Sequence, residues 1–362
     1  MIKVFHIITH FDLGGSERVA INICKSKNSQ IEYHIFEVVK GYSEFSKSFM
    51  NEMKENNIFF HQSYIKNRKI AILLFPIFFF FKTFRNRPDL IHTHTEIPDL
   101  SIFIYDKLAK IFSINNKYVR TIHNTQLWNE WKKIGRKVEP FFQKQEANVA
   151  ISESVKHNYE LEYQHKVDYF VYNGVEKSVE EKFYNIIPNK INVLFAGRLE
   201  HQKGIIELVS TLKKLSNDQR FHFHISGKGE LDAYIKEELK DLSNISYYES
   251  IFGLNRYLSS FDFLFMPSNF EGLPLMSVEA SFEKLPSIIN NCDGLREVLP
   301  DNWVLKVENN NVEDYVKIFN EIEKYDTNEL KRIAYNFVQE KFSLESMQQN
   351  YEKIYLEKIN EK

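Results

Sequence analysis

Short apolar runs typical of buried strands alternate along the chain with longer amphipathic stretches typical of helices. In the first half, the strand-like runs are residues 4–9, 33–39, 90–94, 118–123 and 147–151. In the second half they are 191–195, 221–225, 245–248, 261–266 and 287–290. This alternation predicts an α/β protein with two doubly wound parallel sheets in tandem. A polar stretch at 173–190 separates the two series and is predicted to be a linker.

The length of the chain agrees with two domains, because 362 residues are too many for one ordinary core. We predict an N-terminal domain at 1–175 and a C-terminal domain at 176–342, with a last helix within 343–362 that could pack back on the first. With a formal net charge of −2, the protein has no overall positive field to attract nucleic acid. Two cysteines make no disulfide framework, and the N-terminus lacks the pattern of a signal peptide, so we expect a cytoplasmic protein.

One apolar segment, residues 70–81 (IAILLFPIFFFF), is far shorter than the roughly 20 residues that span a bilayer. It is either a core helix with solvated basic ends or a helix lying in a membrane interface. The second interpretation uses the basic flanks, Lys66, Arg68, Lys69, Lys82, Arg85 and Arg87, as contacts to anionic headgroups. A second basic group, residues 132–137 beside Trp128 and Trp131, would serve the same surface at the inner face of the cell membrane.

The run FEGLPLMSVEA, residues 270–280, carries the most informative chemistry. Glu271 falls on a loop, Pro274 suits the first turn of a helix, and Glu279 follows on that helix. Both carboxylates can face one ligand, and the helix-start amides near Gly272 and Leu273 lie between them, where they attract phosphate. The spacing favours a pocket for a sugar, a diphosphate and a nucleoside, although two glutamates on a surface helix are also common.

Three more loops follow strand-like runs, at the edge where parallel sheets bind ligands. LGGS, residues 13–16, offers Gly14 and Gly15 for close approach to an anion, and Ser16 is predicted to cap the next helix. In FAGRLEHQKG, residues 195–204, the two cations Arg198 and Lys203 could clamp a diphosphate. In SGKGE, residues 226–230, the glycines Gly227 and Gly229 would let the backbone pass close to a base or a phosphate.

Histidines at strand ends suggest little metal chemistry. His123 ends a strand-like run, and His92 with His94 shares one face of another. No third ligand is evident at a suitable spacing, and no Asp-x-Asp stands at a strand end, so no metal site is predicted. Cationic side chains are expected to take the place of a divalent ion, and no cofactor is expected.

The motifs LGGSERV, IHTH, TIHN, FAGRLEHQKG, SGKGE and FEGLPLMSVEA, in this order, resemble the pattern of glycosyltransferase family 4 over nearly the whole chain. The resemblance implies the GT-B fold, in which two Rossmann-like domains face each other across a cleft. It assigns the acceptor side to the N-terminal domain and the nucleotide-sugar donor to the C-terminal domain. It also implies retention of the anomeric configuration.

The resemblance also implies roles for single residues. Gly15 would offer backbone amides to the diphosphate, which Arg198 and Lys203 would neutralise. The remaining roles concern the sugar and the nucleoside. Glu271 would contact hydroxyls of the transferred sugar, Leu273 would supply amides nearby, Glu279 would hold the ribose, and His123 would face the sugar ring.

The function predicted from these residues is hexosyl transfer without a metal. The donor would be a nucleotide diphosphate sugar, with uridine diphosphate favoured by the family, and the acceptor a hydroxyl of a glycan or a lipid-linked saccharide. Bacterial surface polysaccharide synthesis (capsule, exopolysaccharide or lipopolysaccharide) is the expected setting, and no nucleic acid is expected as a partner. Two alternatives stay open: a nucleotide-sugar epimerase of the same fold, and a non-catalytic subunit that binds sugar nucleotides.

Overall fold

The computed structural model describes residues 1–12, 14–41, 45–129 and 131–361. The chain divides into two compact units. The first, the N-terminal unit, comprises Met1–Gly174 together with the C-terminal segment Leu344–Lys362. The second, the C-terminal unit, is Val175–Ser343.

The N-terminal unit contains a seven-stranded sheet whose strands all run parallel, in the order β3-β2-β1-β4-β5-β6-β7. The strands are β1 (Ile2–Ile8), β2 (Ile31–Glu37), β3 (Phe59–His61), β4 (Leu90–His94), β5 (Tyr118–Ile122), β6 (Asn148–Ala150) and β7 (Tyr169–Phe170). The helices are α1 (Gly15–Cys24), α2 (Phe45–Glu55), α3 (Arg68–Thr83), α4 (Glu96–Ile111), α5 (Lys132–Gln143), α6 (Glu153–Tyr163) and the last helix of the chain, α12 (Leu344–Asn360).

The C-terminal unit contains a six-stranded parallel sheet in the order β10-β9-β8-β11-β12-β13. Its strands are β8 (Ile191–Ala196), β9 (Phe221–Ser226), β10 (Ile245–Tyr248), β11 (Phe263–Met266), β12 (Ser287–Asn290) and β13 (Lys306–Val307). Its α-helices are α7 (Ile205–Lys214), α8 (Asp232–Glu238), α9 (Leu275–Phe282), α10 (Val312–Asn320) and α11 (Thr327–Lys341). A single 3-10 turn, His201–Lys203, precedes α7.

The predicted α/β class with doubly wound parallel sheets is confirmed, and each of the ten predicted runs overlaps an observed strand. Strands β3, β7 and β13, which have only two or three residues each, were not predicted. Strands this short show no periodicity that could separate them from loops.

The prediction of a linker at residues 173–190 is wrong for most of that stretch, which packs on the C-terminal unit. The buried ring of Phe183 contacts the rings of Tyr248 and Phe261. The amide of Glu181 donates a hydrogen bond of 2.8 Å to the carbonyl of Arg256. Phe183 and several hydrogen bonds attach the segment, and the polar residues around Phe183 made it resemble a linker.

Helix α3 explains why the apolar segment had two interpretations, since each describes one of its faces. Ala71, Ile72, Phe75, Phe79 and Phe80 belong to the core beneath the sheet. The opposite face, which we call the outer face of α3, is exposed to solvent and consists of Ile70, Leu73, Leu74, Ile77, Phe78 and Phe81, continued by Phe84. None of the described helices has the length and apolar character needed to cross a membrane.

A fully buried ionic cluster joins the sheet of the N-terminal unit to its helices. The guanidinium of Arg120 on β5 donates to Asp99 on α4 and, through two bonds of 2.8 Å, to Glu139 on α5. Glu139 also accepts from the indole of Trp128 and the hydroxyl of Tyr159. Burial is the main cause that raises the pKa of Asp99, to about 7, and Arg120 opposes it. The cluster ties α4, α5 and α6 to the strand that ends beside His123.

Candidate functional site

The strand orders place a topological switch point in each sheet, where consecutive crossovers turn in opposite directions. In the N-terminal unit it lies between β1 and β4, and in the C-terminal unit between β8 and β11. Open parallel sheets bind ligands beyond the carboxyl ends of the strands at such points. In each unit, predicted site residues follow the strands that border the switch point.

Lys203 and Glu271 meet at the switch point of the C-terminal unit. Lys203 lies in the turn after β8, and Glu271 lies in the loop after β11. The lysine Nζ is 2.5 Å from the glutamate Oε1, and the two side chains are 17% and 7% exposed. They are 68 positions apart in the chain, so the pairing of β8 with β11 brings them together. The site thus offers an ammonium and a carboxylate with little access to water.

The lysine is held in place by the residue that follows it. Gly204 has φ +67°, and a Cβ there would lie 1.7 Å from the carbonyl oxygen of Pro267. Only glycine fits this position, because other residues would meet both backbone strain and a clash. The close approach presses the turn after β8 against the loop after β11. Gln202 adds a second link, donating 3.1 Å to the carbonyl of Phe270.

Arg198 lies at the same strand end as Lys203 but has different partners. Its guanidinium is 2.9 Å from a carboxylate oxygen of Glu200 and 3.2 Å from the amide oxygen of Gln202. The side chain is 63% exposed. The structure therefore brings Lys203 and Glu271 together. It leaves Arg198 exposed and bound to residues of its own loop. Its predicted contact with a diphosphate stays a prediction.

The loop of Glu271 leads directly into α9. Its backbone is fixed by a hydrogen bond of 3.0 Å from the Glu271 amide to the carbonyl of Asp293. Gly272 and Leu273 follow and are buried. Pro274, predicted in the first turn, instead caps the helix, which begins one residue later. Glu279 lies on α9 and is partly exposed.

Gly227 and Gly229 have a packing role in the structure. A Cβ at Gly227 would lie 1.8 Å from the carbonyl oxygen of Gly197, and one at Gly229 would lie 2.4 Å from that of Leu199. The two glycines allow the loop after β9 to pack against the loop that carries Arg198. This packing accounts for both glycines, and their contact with a donor stays a prediction.

In the N-terminal unit, α1 begins at Gly15, and Gly14 is its N-cap. The prediction that Ser16 caps this helix is wrong, because its hydroxyl donates to the side chain of Glu17 at 2.8 Å. A Cβ at Gly15 would meet no atom within 4 Å, so the fold itself does not require glycine there. Leu13, the first residue of the motif, lies outside the described residues.

His123 follows β5 and is the end member of a buried group of four histidines. Its Nε2 is 3.1 Å from Nδ1 of His94, whose Nε2 is 3.0 Å from Nδ1 of His6. Burial lowers the pKa of His6 and of His123 to about 3. Burial also holds the pKa of His92 and of His94 well below the ordinary value. The four imidazoles are therefore neutral at physiological pH.

The prediction that His92 and His94 have no third ligand nearby is wrong. His6 lies close enough that one nitrogen from each of the three rings lies within 4.8 Å of the others. The register of β1 against β4 places His6 directly beside His92. Both ring nitrogens of each histidine already have a hydrogen-bond partner in the protein. These bonds account for the cluster, and the absence of a metal site stays a prediction.

Models of two glycosyltransferase families match the chain. The model described as Glycosyltransferase Family 4 matches residues 13–179, and the model described as Glycosyl transferases group 1 matches residues 176–338. The chain belongs to glycosyltransferase family 4. The resemblance that the motifs indicated is thereby confirmed.

Relatives of this glycosyltransferase come from several organisms. It is 28% identical to a 41.2 kDa protein in the cps region of Klebsiella pneumoniae, over 75% of this chain and 79% of that protein. It is 22% identical to the capsular polysaccharide biosynthesis glycosyltransferase CapH of Staphylococcus aureus, over 82% of this chain and 84% of CapH. A shorter match, 31% identical, covers 37% of this chain and 39% of the O-antigen biosynthesis glycosyltransferase WbnH of Escherichia coli.

Solved structures show the fold of this glycosyltransferase. Anabaena HepE in complex with UDP-glucose matches with a TM-score of 0.80 and 15% identity, over 99% of this chain and 100% of HepE. A glycosyltransferase from Rickettsia africae matches with a TM-score of 0.77 and 21% identity, over 100% of this chain and 99% of that one. The predicted GT-B fold with two Rossmann-like domains is confirmed.

Thr95, at the switch point of the N-terminal unit, was not predicted as a site residue. It follows β4 with φ 74° and ψ 169°, a conformation that costs a β-branched residue about 1–3 kcal/mol. Its hydroxyl is 2.9 Å from that of Thr9, which follows β1. Strain of this kind is common at ligand sites, but no sequence signal marks it, because a threonine between a strand and a helix is ordinary.

Proposed function

We propose that this family 4 glycosyltransferase transfers a hexosyl group, with retention, from a nucleotide diphosphate sugar to a hydroxyl of a glycan or lipid-linked acceptor. The observation that carries the proposal is the ion pair of Lys203 with Glu271 at the β8/β11 switch point. The pair joins a cation suited to a diphosphate with a carboxylate suited to sugar hydroxyls. Gly14, Gly15, Gly227, Gly229 and Gly272 are proposed to face the donor through their backbone.

The proposed chemistry is electrostatic stabilisation of the leaving diphosphate. Negative charge grows on that group as the glycosidic bond breaks, and a preformed cation lowers the barrier without reorganising. Lys203 supplies this charge from a site with little water, and the amides at the start of α9 near Leu273 add to it. Arg198 is held only by exposed contacts, which contribute little, so it can turn toward a phosphate oxygen.

Retention is proposed to follow a same-face route. A double displacement needs a carboxylate nucleophile beneath the anomeric carbon. Glu271 is the nearest candidate at the site, but its carboxylate is paired with Lys203 and suits hydroxyl binding better. The diphosphate oxygen would then take the acceptor proton as the new bond forms. Glu279 is proposed to hold the ribose, and His123 to contact the sugar ring.

Uridine diphosphate is the proposed nucleotide, because the HepE structure of the same fold contains UDP-glucose. Surface polysaccharide is the proposed product, because related chains are named for capsular polysaccharide and O-antigen biosynthesis. We propose that the reaction needs no metal, since Lys203 supplies positive charge at the strand end. Transfer that persists in excess chelator would agree with this, and strict dependence on added Mg²⁺ or Mn²⁺ would contradict it.

The decisive experiment combines donor binding with transfer. Melting temperatures with uridine, guanosine and adenosine diphosphate sugars identify the donor, because a bound donor stabilises the native state. Lys203→Met should then lose about 100-fold or more in turnover, the usual effect of removing one such electrostatic donor. Glu271→Gln should also lower turnover, because a neutral amide replaces the carboxylate proposed to accept from the sugar hydroxyls. Lys213→Met is the matched control, since Lys213 is also an ion-paired lysine but lies on the exposed face of α7.

Three outcomes would contradict the proposal. Near-normal turnover of both Lys203→Met and Arg198→Ala would exclude a role for these two cations in binding the diphosphate. Conversion of the donor sugar without any acceptor would favour the epimerase. Donor binding without turnover across a panel of lipid-linked and glycan acceptors would favour the non-catalytic subunit. The donor-free melting temperature of each variant separates loss of function from loss of fold.

We further propose that the outer face of α3 rests on an anionic membrane, where a lipid-linked acceptor would be found. The helix has 16 residues and is therefore about 24 Å long. Its exposed residues recur at helical spacing, and Leu73 and Phe81 are 64% and 73% exposed. Ile111 and Phe112, at the end of α4, are also exposed, and Phe112 contacts the buried ring of Phe80 on α3.

The charges around the outer face of α3 match an anionic membrane. Residues 62–88 contain no acidic residue, and their six basic residues flank the apolar face on both sides. Each basic side chain near such a surface contributes about 1 kcal/mol. The ring of Trp131 stacks on Arg68 at 4.3 Å, which brings the exposed basic residues of α5 to the same end.

Co-sedimentation with vesicles tests this contact. The protein should bind vesicles of phosphatidylcholine and phosphatidylglycerol in equal parts, and bind pure phosphatidylcholine weakly. Replacing Leu73 and Phe81 together by glutamate should abolish binding, whereas Leu161→Glu, at an exposed apolar position of α6, should not. Equal binding by both variants, or a stable dimer that the double change disrupts while vesicles are ignored, would overturn the proposal.

A further inference from the structure

We propose that a buried chain of hydrogen bonds from α12 sets which ring nitrogen of His123 carries its proton. In this proposal Tyr355 is a positioning residue that acts on His123 through other side chains. The inference rests on the proposed contact of His123 with the donor sugar. All the residues of this hydrogen-bonded chain lie within the N-terminal unit.

The half of the chain nearest His123 consists of histidines. Nε2 of His123 is 3.1 Å from Nδ1 of His94, and Nε2 of His94 is 3.0 Å from Nδ1 of His6. Nε2 of His6 is 3.4 Å from the hydroxyl of Tyr355, the longest link. His94 on β4 and His6 on β1 thus connect His123 to α12.

The other half runs from Tyr355 back through the sheet. The Tyr355 hydroxyl is 2.7 Å from Nδ1 of His92, and Nε2 of His92 is 2.7 Å from Oγ1 of Thr121. The chain ends where Oγ1 of Thr121 lies 2.9 Å from the hydroxyl of Tyr351. Apart from His123, which is 8% exposed, every member is at most 1% exposed. Water is therefore kept from the interior links.

Each interior member of the chain has one proton to donate and one site at which to accept. A neutral imidazole has one N–H and one lone-pair nitrogen, and a hydroxyl donates once. Burial keeps the four histidines neutral, as their depressed pKa values indicate. The protons can then line up in only two continuous orders. In one, every bond is donated toward His123, and in the other every bond is donated toward Tyr351.

The end at Tyr351 favours donation toward His123. Among the described residues, the Tyr351 hydroxyl has Thr121 as its hydrogen-bond partner. If Thr121 donated to it, the tyrosine proton would be buried without an acceptor, and an unsatisfied buried donor is unfavourable. If Tyr351 donates to Thr121, its proton is used, and the terminal donor becomes Nδ1–H of His123, the most exposed member at 8%.

This order assigns one tautomer to all four histidines. His94 donates from Nδ1 to Nε2 of His123, so the proton of His123 lies on Nδ1. The same rule places the protons of His6, His92 and His94 on Nδ1. The hydrogen bond at one ring nitrogen determines the proton position at the other. His123 would then present an N–H, as a donor, to an oxygen of the bound sugar.

Nuclear magnetic resonance of the full-length chain, labelled with ¹⁵N in histidine, tests the tautomers directly. Long-range proton–nitrogen couplings should show Nδ1–H for His6, His92, His94 and His123, assigned with single His→Gln variants. Tyr355→Phe should shift the His6, His94 and His123 signals toward a mixture. Tyr118→Phe, a buried tyrosine bonded to Asp106 outside the chain, should leave them unchanged. An Nε2–H tautomer at His94 or His123 in the unchanged protein would overturn the proposal.

Activity separates this proposal from the proposed function. We expect Tyr355→Phe to lower kcat about 10-fold and to leave the donor KM within about 2-fold. A His123 whose proton lies on Nε2 would lose its one hydrogen bond between neutral groups to the sugar oxygen. Tyr118→Phe should lower the melting temperature similarly without this loss. If the Tyr355→Phe variant has altered tautomers but the kcat of the unchanged protein, Tyr355 has no positioning role in the reaction. If no donor is turned over, the proposed function fails. The histidine tautomers would still test the proposed order of the hydrogen bonds.

Discussion

Acidification should destabilise the N-terminal unit because of its buried histidines. His6, His92, His94 and His123 have pKa values far below 6.5, and His6 and His123 titrate at about 3. The folded state therefore binds these protons more weakly than the unfolded state. The stabilisation is fully present above the unfolded pKa and is lost as pH falls below 6.5 toward the folded values.

The size of the effect follows from the shifts. Between neutral pH and pH 5.5, one unit below the unfolded pKa, each histidine loses about 1.4 kcal/mol of stabilisation. Four histidines lose about 5–6 kcal/mol together, which is a large part of the 5–15 kcal/mol typical of a folded protein. Asp99 acts in the opposite direction, because its pKa is raised to about 7 in the folded state. Its protonation over the same pH range adds about 2 kcal/mol of stabilisation. The net loss is still several kcal/mol.

Urea denaturation followed by hydrogen exchange resolves the two units in one experiment. At pH 5.5 the peptides of β1, β4 and β5 should lose protection at a much lower urea concentration than at pH 7.5. The C-terminal unit provides an internal comparison with a smaller expected loss, since two of its histidines, His222 and His224, have lowered pKa values, against the four of the buried cluster. Unchanged protection of β1, β4 and β5 at both pH values would refute the neutral buried cluster.

Three substitutions test separate parts of the fold and the site. Gly15→Ala should leave the free energy of unfolding unchanged or raise it by up to about 1 kcal/mol, yet weaken donor binding in a thermal shift; undiminished binding would remove Gly15 from the site. Its matched control, Gly204→Ala, should lower the melting temperature, because the new Cβ meets the carbonyl of Pro267; unchanged melting would contradict that packing. Arg120→Met should destabilise the protein by about 3–5 kcal/mol in urea, since the buried carboxylate of Glu139 would lose its ionic partner and Asp99 would lose its guanidinium donor; a loss below 1 kcal/mol would contradict the cluster.

Much of the candidate site could be predicted because its residues follow strands, and strands are visible in the sequence. Glu271, Lys203, Arg198 and His123 all lie just beyond strand ends, as their positions after apolar runs indicated. What the sequence did not indicate is the partner of each side chain. Arg198 and Lys203 are neighbours in the motif, but only Lys203 turns toward Glu271, because Gly204 ends the turn against the loop after β11.

The sequence by itself determined the α/β class, the positions of the longer strands and the family. Apolar periodicity and glycine-rich loops are local properties, so they can be read without knowing the fold. The tertiary structure decided which strand ends are neighbours, and with them the pairing of Lys203 with Glu271 across 68 positions and of His6 with His92 and His94. It also decided which face of α3 is covered. Strand order and helix burial depend on packing of the whole unit, and no short stretch of sequence contains that information.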